Sequence, residues 1–360
     1  MENKAPFVPE ARATLIGSLP HLDHEEAQDL VLRYIPEIPI WVQLPHYPEE
    51  RLLTQFVEGF PGVVQQKDKI FFDTDSPRFE EDLLAFFEEY LEVKEGGRSL
   101  EDSRFALSHG HGKGFYCFLA KVEAMASRPF ALKGQITGPF TMLTGLKEKS
   151  GKMAYYNPQL KEAICQGLAL KAAFQAEQLR KFTDRAILFL DEPALAGFGS
   201  SQMVGIKRED VQQDLKIIME EIHTRDTLCG VHVCANTEWS LLLDPEIPLD
   251  IVSFDAFGFM DKFLIYKEEI RSFIERGGIV AWGLIPTQRT DDIRKISMDE
   301  MLQRFSRAKD VLGIPEEQLI GQALITPSCG TGLLEKDLAQ KVLELTARLS
   351  ETIRTEMFKG

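Results

Sequence analysis

Residues 228–236 read LCGVHVCAN, a short apolar run that stops at Asn236. A run of that length and composition reads as a buried strand. Successive side chains on a strand alternate between its faces, so His232 and Cys234 share one face while Val231 and Val233 share the other. Seven further runs of this kind recur along the chain: ATLIGSLP (13–20), IPIWVQLP (38–45), FALKGQITGP (130–139), AILFLDEP (186–193), DIVSFDAF (250–257), GIVAWGLIP (278–286) and ALITPSCG (323–330). Segments with helical periodicity lie between them, at 158–182, 208–223, 261–276 and 298–312, and Pro158 suits a first helical turn. Alternation of strand and helix predicts parallel strands, and eight such units predict an α/β chain closed as a (β/α)8 TIM barrel. A doubly wound open sheet is the alternative.

The chain has 360 residues, 44% hydrophobic and 27% charged, a composition that suits a globular protein with a large core. No apolar run approaches the roughly 20 residues that span a bilayer, so a membrane is not an expected partner. The excess of 56 acidic over 41 basic residues gives a net charge of −15, unfavourable for general attraction to nucleic acid. A small molecule or a protein is the expected partner. The start of the chain, MENKAPFVPEARA, has no apolar core of a secretory signal, so a cytoplasmic location with five reduced cysteines is expected.

In a barrel of parallel strands the active site is built at the C-terminal strand ends. Those ends carry Ser18, Gln43, Thr137, Asp191, Glu192, His232, Cys234, Asp255 and Cys329. Polar residues also mark where strands stop, and Gln43 and Thr137 fit that plainer role equally well. A single barrel domain over 1–360 is expected, with residues 46–128 inserted between the second and third strands. Within that insertion 79–96 reads as an amphipathic helix, and SHGHGKG (108–114) as a solvated Gly-rich loop in which His109 and His111 are a weak metal pair.

His232, Cys234 and Cys329 stand at the ends of the fifth and eighth expected strands, and closure of a barrel brings both ends to one mouth. Taken alone, the pair in the fifth strand has a bland reading, a buried Cys packing as a small hydrophobe beside a satisfied core His. Together the three form a Cys2His set, and three protein ligands with an open fourth position are the pattern of a catalytic rather than a structural zinc. Asp255 is placed either as a fourth, weaker oxygen ligand or as a hydrogen-bonding partner of His232. Thiolate ligands favour Zn²⁺ over Mg²⁺ or Mn²⁺, and an open zinc of this kind suits one more sulfur, from a thiol substrate. The metal depresses the pKa of such a thiol, whereas a free cysteine thiol, at about 8.5, stays mostly protonated near neutrality.

The runs TLIGSLP (14–20), KGQITGPFTML (133–143), LDEPAL (190–195), VHVC (231–234), IVSFDAF (251–257) and TPSCG (326–330) resemble, in this order, the motifs of the catalytic barrel of cobalamin-independent methionine synthase. That barrel belongs to a superfamily that also contains uroporphyrinogen decarboxylase. The resemblance implies a zinc-dependent methyltransferase of methionine biosynthesis, with His232, Cys234 and Cys329 as ligands and Asp255 where the family has Glu. It implies that Ile16, Gly17 and Ser18 meet the carboxylate of a homocysteine-like thiol and that Asp191 holds its amino group, with Glu192 beside it.

Two departures shape the expected donor. The chain has room for one barrel where full-length members of the family have two that share folate. The loop after the seventh strand, GLIPTQRTDD (283–292), offers Gln288 and Arg289 where the family has a proton-donating His. Both departures resemble the short single-barrel relatives, and point to a methylated corrinoid protein as donor, with 46–128 as its docking surface, as a lid or as a merely decorative insertion. A decarboxylase-like enzyme, another alkyl-thiol transferase, and a non-catalytic thiol or metal sensor are the alternatives.

Overall fold

Seven of the eight apolar runs contribute strands to one sheet in the computed structural model, which describes residues 7–66, 69–201 and 203–357. The strands are β1 (Arg12–Ala13), β2 (Val63–Gln66), β3 (Lys69–Phe72), β4 (Leu132–Thr137), β5 (Ala186–Asp191), β6 (Thr227–Val233), β7 (Ile251–Phe254), β8 (Ile279–Ile285) and β9 (Ala323–Pro327). β2 and β3 form a separate antiparallel pair. The others make a curled, all-parallel sheet in the order β1-β9-β8-β7-β6-β5-β4. Apart from the pairing of β1 with β9, which sets the first strand of the sheet beside the last, neighbours in that order are also neighbours along the chain, so the sheet lacks the reversal of strand order that marks a doubly wound fold.

The run at 38–45 departs from expectation, since it forms no regular strand. It makes isolated parallel bridges instead, Ile40 with Lys133 on β4 and Gln43 with Ser18 beyond β1. Side chains take over much of its ladder. Thr14 Oγ1 donates to the Ile38 carbonyl at 2.9 Å, Gln28 Nε2 to Ile40 at 2.8 Å and Gln135 Nε2 to Trp41 at 2.9 Å. Every buried carbonyl needs a donor, and here the donor is amide or hydroxyl rather than a neighbouring strand. The first run is likewise shorter than expected, because the chain leaves β1 and turns at Ile16–Ser18.

The helices are α1 (His24–Tyr34), α2 (Phe79–Lys94), α3 (Lys113–Glu123), α4 (Pro139–Gly145), α5 (Pro158–Arg180), α6 (Arg208–His223), α7 (Ser240–Leu243), α8 (Ala256–Phe263), α9 (Lys267–Glu275), α10 (Thr290–Lys295), α11 (Met298–Leu312), α12 (Glu316–Gly321) and α13 (Lys336–Thr352). Local chemistry starts them where the sequence suggests. Pro158 opens α5 behind Asn157, whose side chain accepts from the Gln159 and Leu160 amides. The periodic segment at 261–276 is in fact broken, because α8 ends at Phe263 and a 3-10 turn at Leu264–Tyr266 leads into α9.

Two kinds of core result. The larger packs helices on the outer sheet face; a smaller one fills the inner face with Ile187 and Phe189 of β5, Ile251 of β7, Ile279 and Ala281 of β8 and Leu324 of β9. A Cβ added to Gly230 on β6 would lie 2.4 Å from the Phe189 ring, so the absence of a side chain there makes room for the phenyl group. Following the same faces toward the C-terminal ends, the inner layer turns polar at Asp191, His232 and Ser253.

The segment 46–128 holds the β2–β3 hairpin, α2 and α3. α3 begins at Lys113, inside the stretch expected to be loop, and packs against α1. A Cβ on Gly114 would fall 1.9 Å from the Val42 carbonyl oxygen, so the glycines of this stretch allow α3 to lie directly on the 38–45 run. Among the described residues, no helix is long and apolar enough to cross a membrane.

Candidate metal centre

β6 delivers the first donor. His232 is buried near the end of the strand, and its Nδ1 pairs with Ser253 Oγ of β7 at 2.9 Å. Its other nitrogen, Nε2, is buried without a hydrogen-bond partner. A buried polar atom with no partner is costly, and Nε2 stands beside two thiols. One strand period on, Cys234 emerges on the same face, and Cys329 arrives two residues beyond β9. The ligand atoms of His232, Cys234 and Cys329 all lie within 4.8 Å of one another, the only such group of three His, Cys, Asp or Glu side chains among the described residues.

The electrostatics of the three are coupled. A hydrogen bond from Cys329, and then His232, hold the Cys234 thiol well below the ordinary thiol range. The same hydrogen bond and burial push Cys329 up. A soft cation bound between the two sulfurs would displace the protons they carry. Cys117, Cys165 and Cys229 lie elsewhere, and burial raises all three thiols, Cys117 to about 12.

The three donors open on a cavity of about 460 Å³ that Ile16, Gly17, Ser18, Asp191, Gln288 and Cys329 help to line. The turn at Ile16–Ser18 is fixed from two sides. Gln43 N donates to the Gly17 carbonyl at 3.2 Å, while Thr331 N and Oγ1 donate to the Ser18 carbonyl at 2.8 and 3.0 Å. A Cβ at Gly17 would sit 2.3 Å from Gln43 Oε1, so glycine there lets the Gln43 amide lie against the turn. Asp191 ends β5 opposite this turn, buried, with Oδ1 unpartnered. Burial raises its carboxyl to about 6, against the pull of His232 and Lys133.

Two expected site residues are otherwise engaged. Glu192 is absent from the cavity wall: its oxygens accept from Phe140 N at 2.9 Å, Thr141 N at 2.8 Å and Thr141 Oγ1 at 2.6 Å, which caps α4. Asp255 stays outside the donor group, with Oδ1 accepting from Gly258 N at 2.7 Å as the cap of α8 and Oδ2 accepting from Gln288 at 3.4 Å. Gln43 lines the cavity and donates to Gln55 at 2.6 Å; Thr137 donates to the Leu52 carbonyl at 2.5 Å. His109 stacks on Tyr116 with centroids 3.9 Å apart, and His111 pairs with Glu58 at 3.2 Å, so they form no metal pair. Arg289 points to solvent beside Asp292.

Sequence reasoning missed Lys133 and Ser253. Alternation along KGQITGP does place Lys133 on the inward face, but a lysine in a strand reads as an exposed position until the third dimension is known. Ser253 is inward by the same rule, and only pairing of β6 with β7 in register, His232 opposite Ser253, shows its partner.

No protein-family model and no curated protein matches the chain. Solved structures do match in fold. A B12-independent methionine synthase from Shewanella sp. W3-18-1, in complex with selenomethionine, superposes with a TM-score of 0.56 at 15% identity, covering 97% of this chain and 99% of that one. A methyltransferase from Methanosarcina mazei gives 0.53 at 11% identity, covering 90% and 84%. A GH20 module of the pneumococcal exo-β-D-N-acetylglucosaminidase StrH gives 0.49 at 10% identity, covering 94% of this chain and 84% of that one. The likeness is one of fold: the chain has an α/β architecture with a curled parallel sheet similar to TIM-barrel-like enzymes, methyltransferases among them.

Proposed function

We propose that the chain is a zinc-dependent methyltransferase that moves a methyl group from a methylated corrinoid to a small thiol such as homocysteine. The observation that carries this reading is the convergence of a His232 ring nitrogen and two cysteine sulfurs within 4.8 Å on the wall of a cavity. A mixed nitrogen and sulfur donor set suits Zn²⁺, and the unpartnered Nε2 fits a ligand role. On the same reading the bridges at 38–45 close a single (β/α)8 barrel over residues 1–360, with 46–128 as an insertion that receives the corrinoid protein.

His232, Cys234 and Cys329 would hold the metal, which would supply Lewis acidity that lowers the pKa of a thiol brought to it. Ser253 accepts the Nδ1 proton of His232 and so fixes the tautomer that leaves Nε2 free. The Ile16–Ser18 turn meets the carboxylate of the substrate and Asp191 its ammonium, which orients the sulfur toward the three donors. Asp255, linked to Gln288, braces the wall rather than ligating. In the transfer the substrate sulfur forms a bond to the methyl carbon as the cobalt–carbon bond breaks. Its electron pair leaves with cobalt as Co(I), and the thiol proton passes to solvent.

Metal analysis with X-ray absorption, with and without homocysteine, tests this reading. The expected result is about one zinc per chain and one added sulfur in its coordination shell on binding. Cys329→Ser and Cys234→Ser should lose metal, whereas Cys165→Ser and Asp255→Asn should keep it. Full zinc occupancy in Cys329→Ser, or turnover that survives removal of zinc, would overturn the reading, the latter in favour of decarboxylase-like chemistry.

A further inference from the structure

Lys133 lies where a strand facing a barrel interior ordinarily places an apolar side chain. It is wholly buried on β4, opposite Ile187 in the register with β5. Its Nζ stands 4.3 Å from the centroid of Phe189 and donates to the Ile16 carbonyl at 3.0 Å. Burying an ammonium group costs several kcal/mol by the usual estimates, about as much as its partners return, and an apolar side chain of similar volume commonly serves the fold as well or better. Methionine or leucine would fill this space without that cost. Burial accordingly pushes the Lys133 ammonium well below its ordinary range, and the charge of Asp191 opposes the shift.

The two groups Lys133 acts on are both in the cavity wall, while Lys133 itself is not. Its hydrogen bond fixes the carbonyl that immediately precedes Gly17 and Ser18. Its positive charge acts on the Asp191 carboxyl, and the Phe189 ring of β5 is the floor on which the ammonium rests. The turn enters from beyond β1 and Asp191 from the end of β5, on elements that are not hydrogen-bonded to each other, so their relative placement needs a link. We propose that Lys133 is the positioning residue that locks the Ile16–Ser18 turn opposite Asp191 and thereby sets the affinity of the cavity for the charged, amino-acid end of a thiol substrate. The inference rests on the thiol reading above and adds a residue that never touches the substrate.

The test uses the full-length, zinc-loaded protein and calorimetric titration with two thiols, homocysteine and 1-propanethiol, which has neither carboxylate nor ammonium. In Lys133→Met, zinc content and propanethiol affinity should be unchanged while homocysteine affinity falls about ten- to a hundredfold, the scale of one charge-assisted hydrogen bond. Lys133→Gln, which keeps a donor without the charge, provides the same comparison if the methionine variant does not fold, and its loss should be smaller. Unchanged homocysteine affinity in either variant, or equal loss for both thiols, would overturn the inference, because a packing role moves both alike. Wild-type protein that holds zinc yet binds neither thiol would instead refute the thiol reading and this inference with it.

Discussion

On the proposed function Asp191 carries the charge that would recognise an ammonium group, and its environment makes that charge conditional. Burial raises the carboxyl to about 6, with His232 and then Lys133 opposing, so the anion forms only as the pH climbs through that value. A raised pKa means that pairing with a cation is complete above about 6 and is lost as the pH falls through it. The ratio of homocysteine to propanethiol affinity should therefore rise between about pH 5 and 7 and then level. Taking the ratio removes the effect of acid on the metal ligands, which both thiols share. In Asp191→Asn the rise should vanish, and homocysteine affinity above the transition should drop about ten- to a hundredfold with zinc retained. An unchanged affinity in a folded variant would assign Asp191 to the strand end alone. The placement of His232 and Cys234 was legible because strand alternation is a local rule. Glu192 and Asp255 were not, because a carboxylate at a strand end serves a ligand or a helix cap with the same residue type, and only the neighbouring amides of Phe140, Thr141 and Gly258 distinguish the two.

Among the elements, the pairing of β5 with β6 sets the depth of the site. Phe189 reaches across the inner face into the space that Gly230 leaves open, one strand period before His232. Gly230→Ala should force the ring aside and cost about 1–3 kcal/mol of stability, the usual penalty for overpacking a core. Phe189→Leu in the same chain should recover part of that loss, and a double-mutant cycle in urea would measure the coupling. Additive effects of the two changes would show that the close approach does not matter. β5 and β8 could be read from composition, since they are apolar on both faces almost to their ends, as buried parallel strands are, whereas β4 carries Lys133, Gln135 and Thr137 on its inward face. The 38–45 run has the same composition but forms only isolated bridges, with Thr14, Gln28 and Gln135 side chains donating to the Ile38, Ile40 and Trp41 carbonyls between them. That substitution of side chain for ladder leaves no periodic trace. The glycines at 110–114 misled for a related reason, since a glycine that permits close helix packing looks in sequence like one that loosens a loop.

For the whole molecule, the proposed function turns on which methyl donor the cavity would serve. A folate donor leaves as an amine anion that must be protonated, whereas Co(I) leaves without a proton, so the two demand different groups at the mouth. The loop after β8 places Gln288 at the cavity with its amide donating to Asp255, and Arg289 outward in solvent. Among the described residues that line the cavity His232 is the one imidazole, and it is committed to the donor triad. Asp255, although raised by burial to about 6, has both oxygens occupied as acceptors. Glu50 also lines the cavity, with Oε1 paired to His24 Nε2 at 2.6 Å and Oε2 accepting from Leu44 N at 2.8 Å, and the remaining outer wall of Pro45, Leu52, Pro193, Leu333 and Leu334 is apolar. We therefore expect the zinc-loaded chain to form methionine from homocysteine and methylcobalamin, free or carried on a corrinoid protein, and to use methyltetrahydrofolate very poorly. Separate incubations with each donor, assayed for methionine, decide the matter. Efficient turnover with methyltetrahydrofolate would sink the corrinoid assignment and require an acid at the mouth. Failure with both donors, in protein that holds zinc and binds homocysteine, would redirect the assignment to a different alkyl donor acting at the same three ligands.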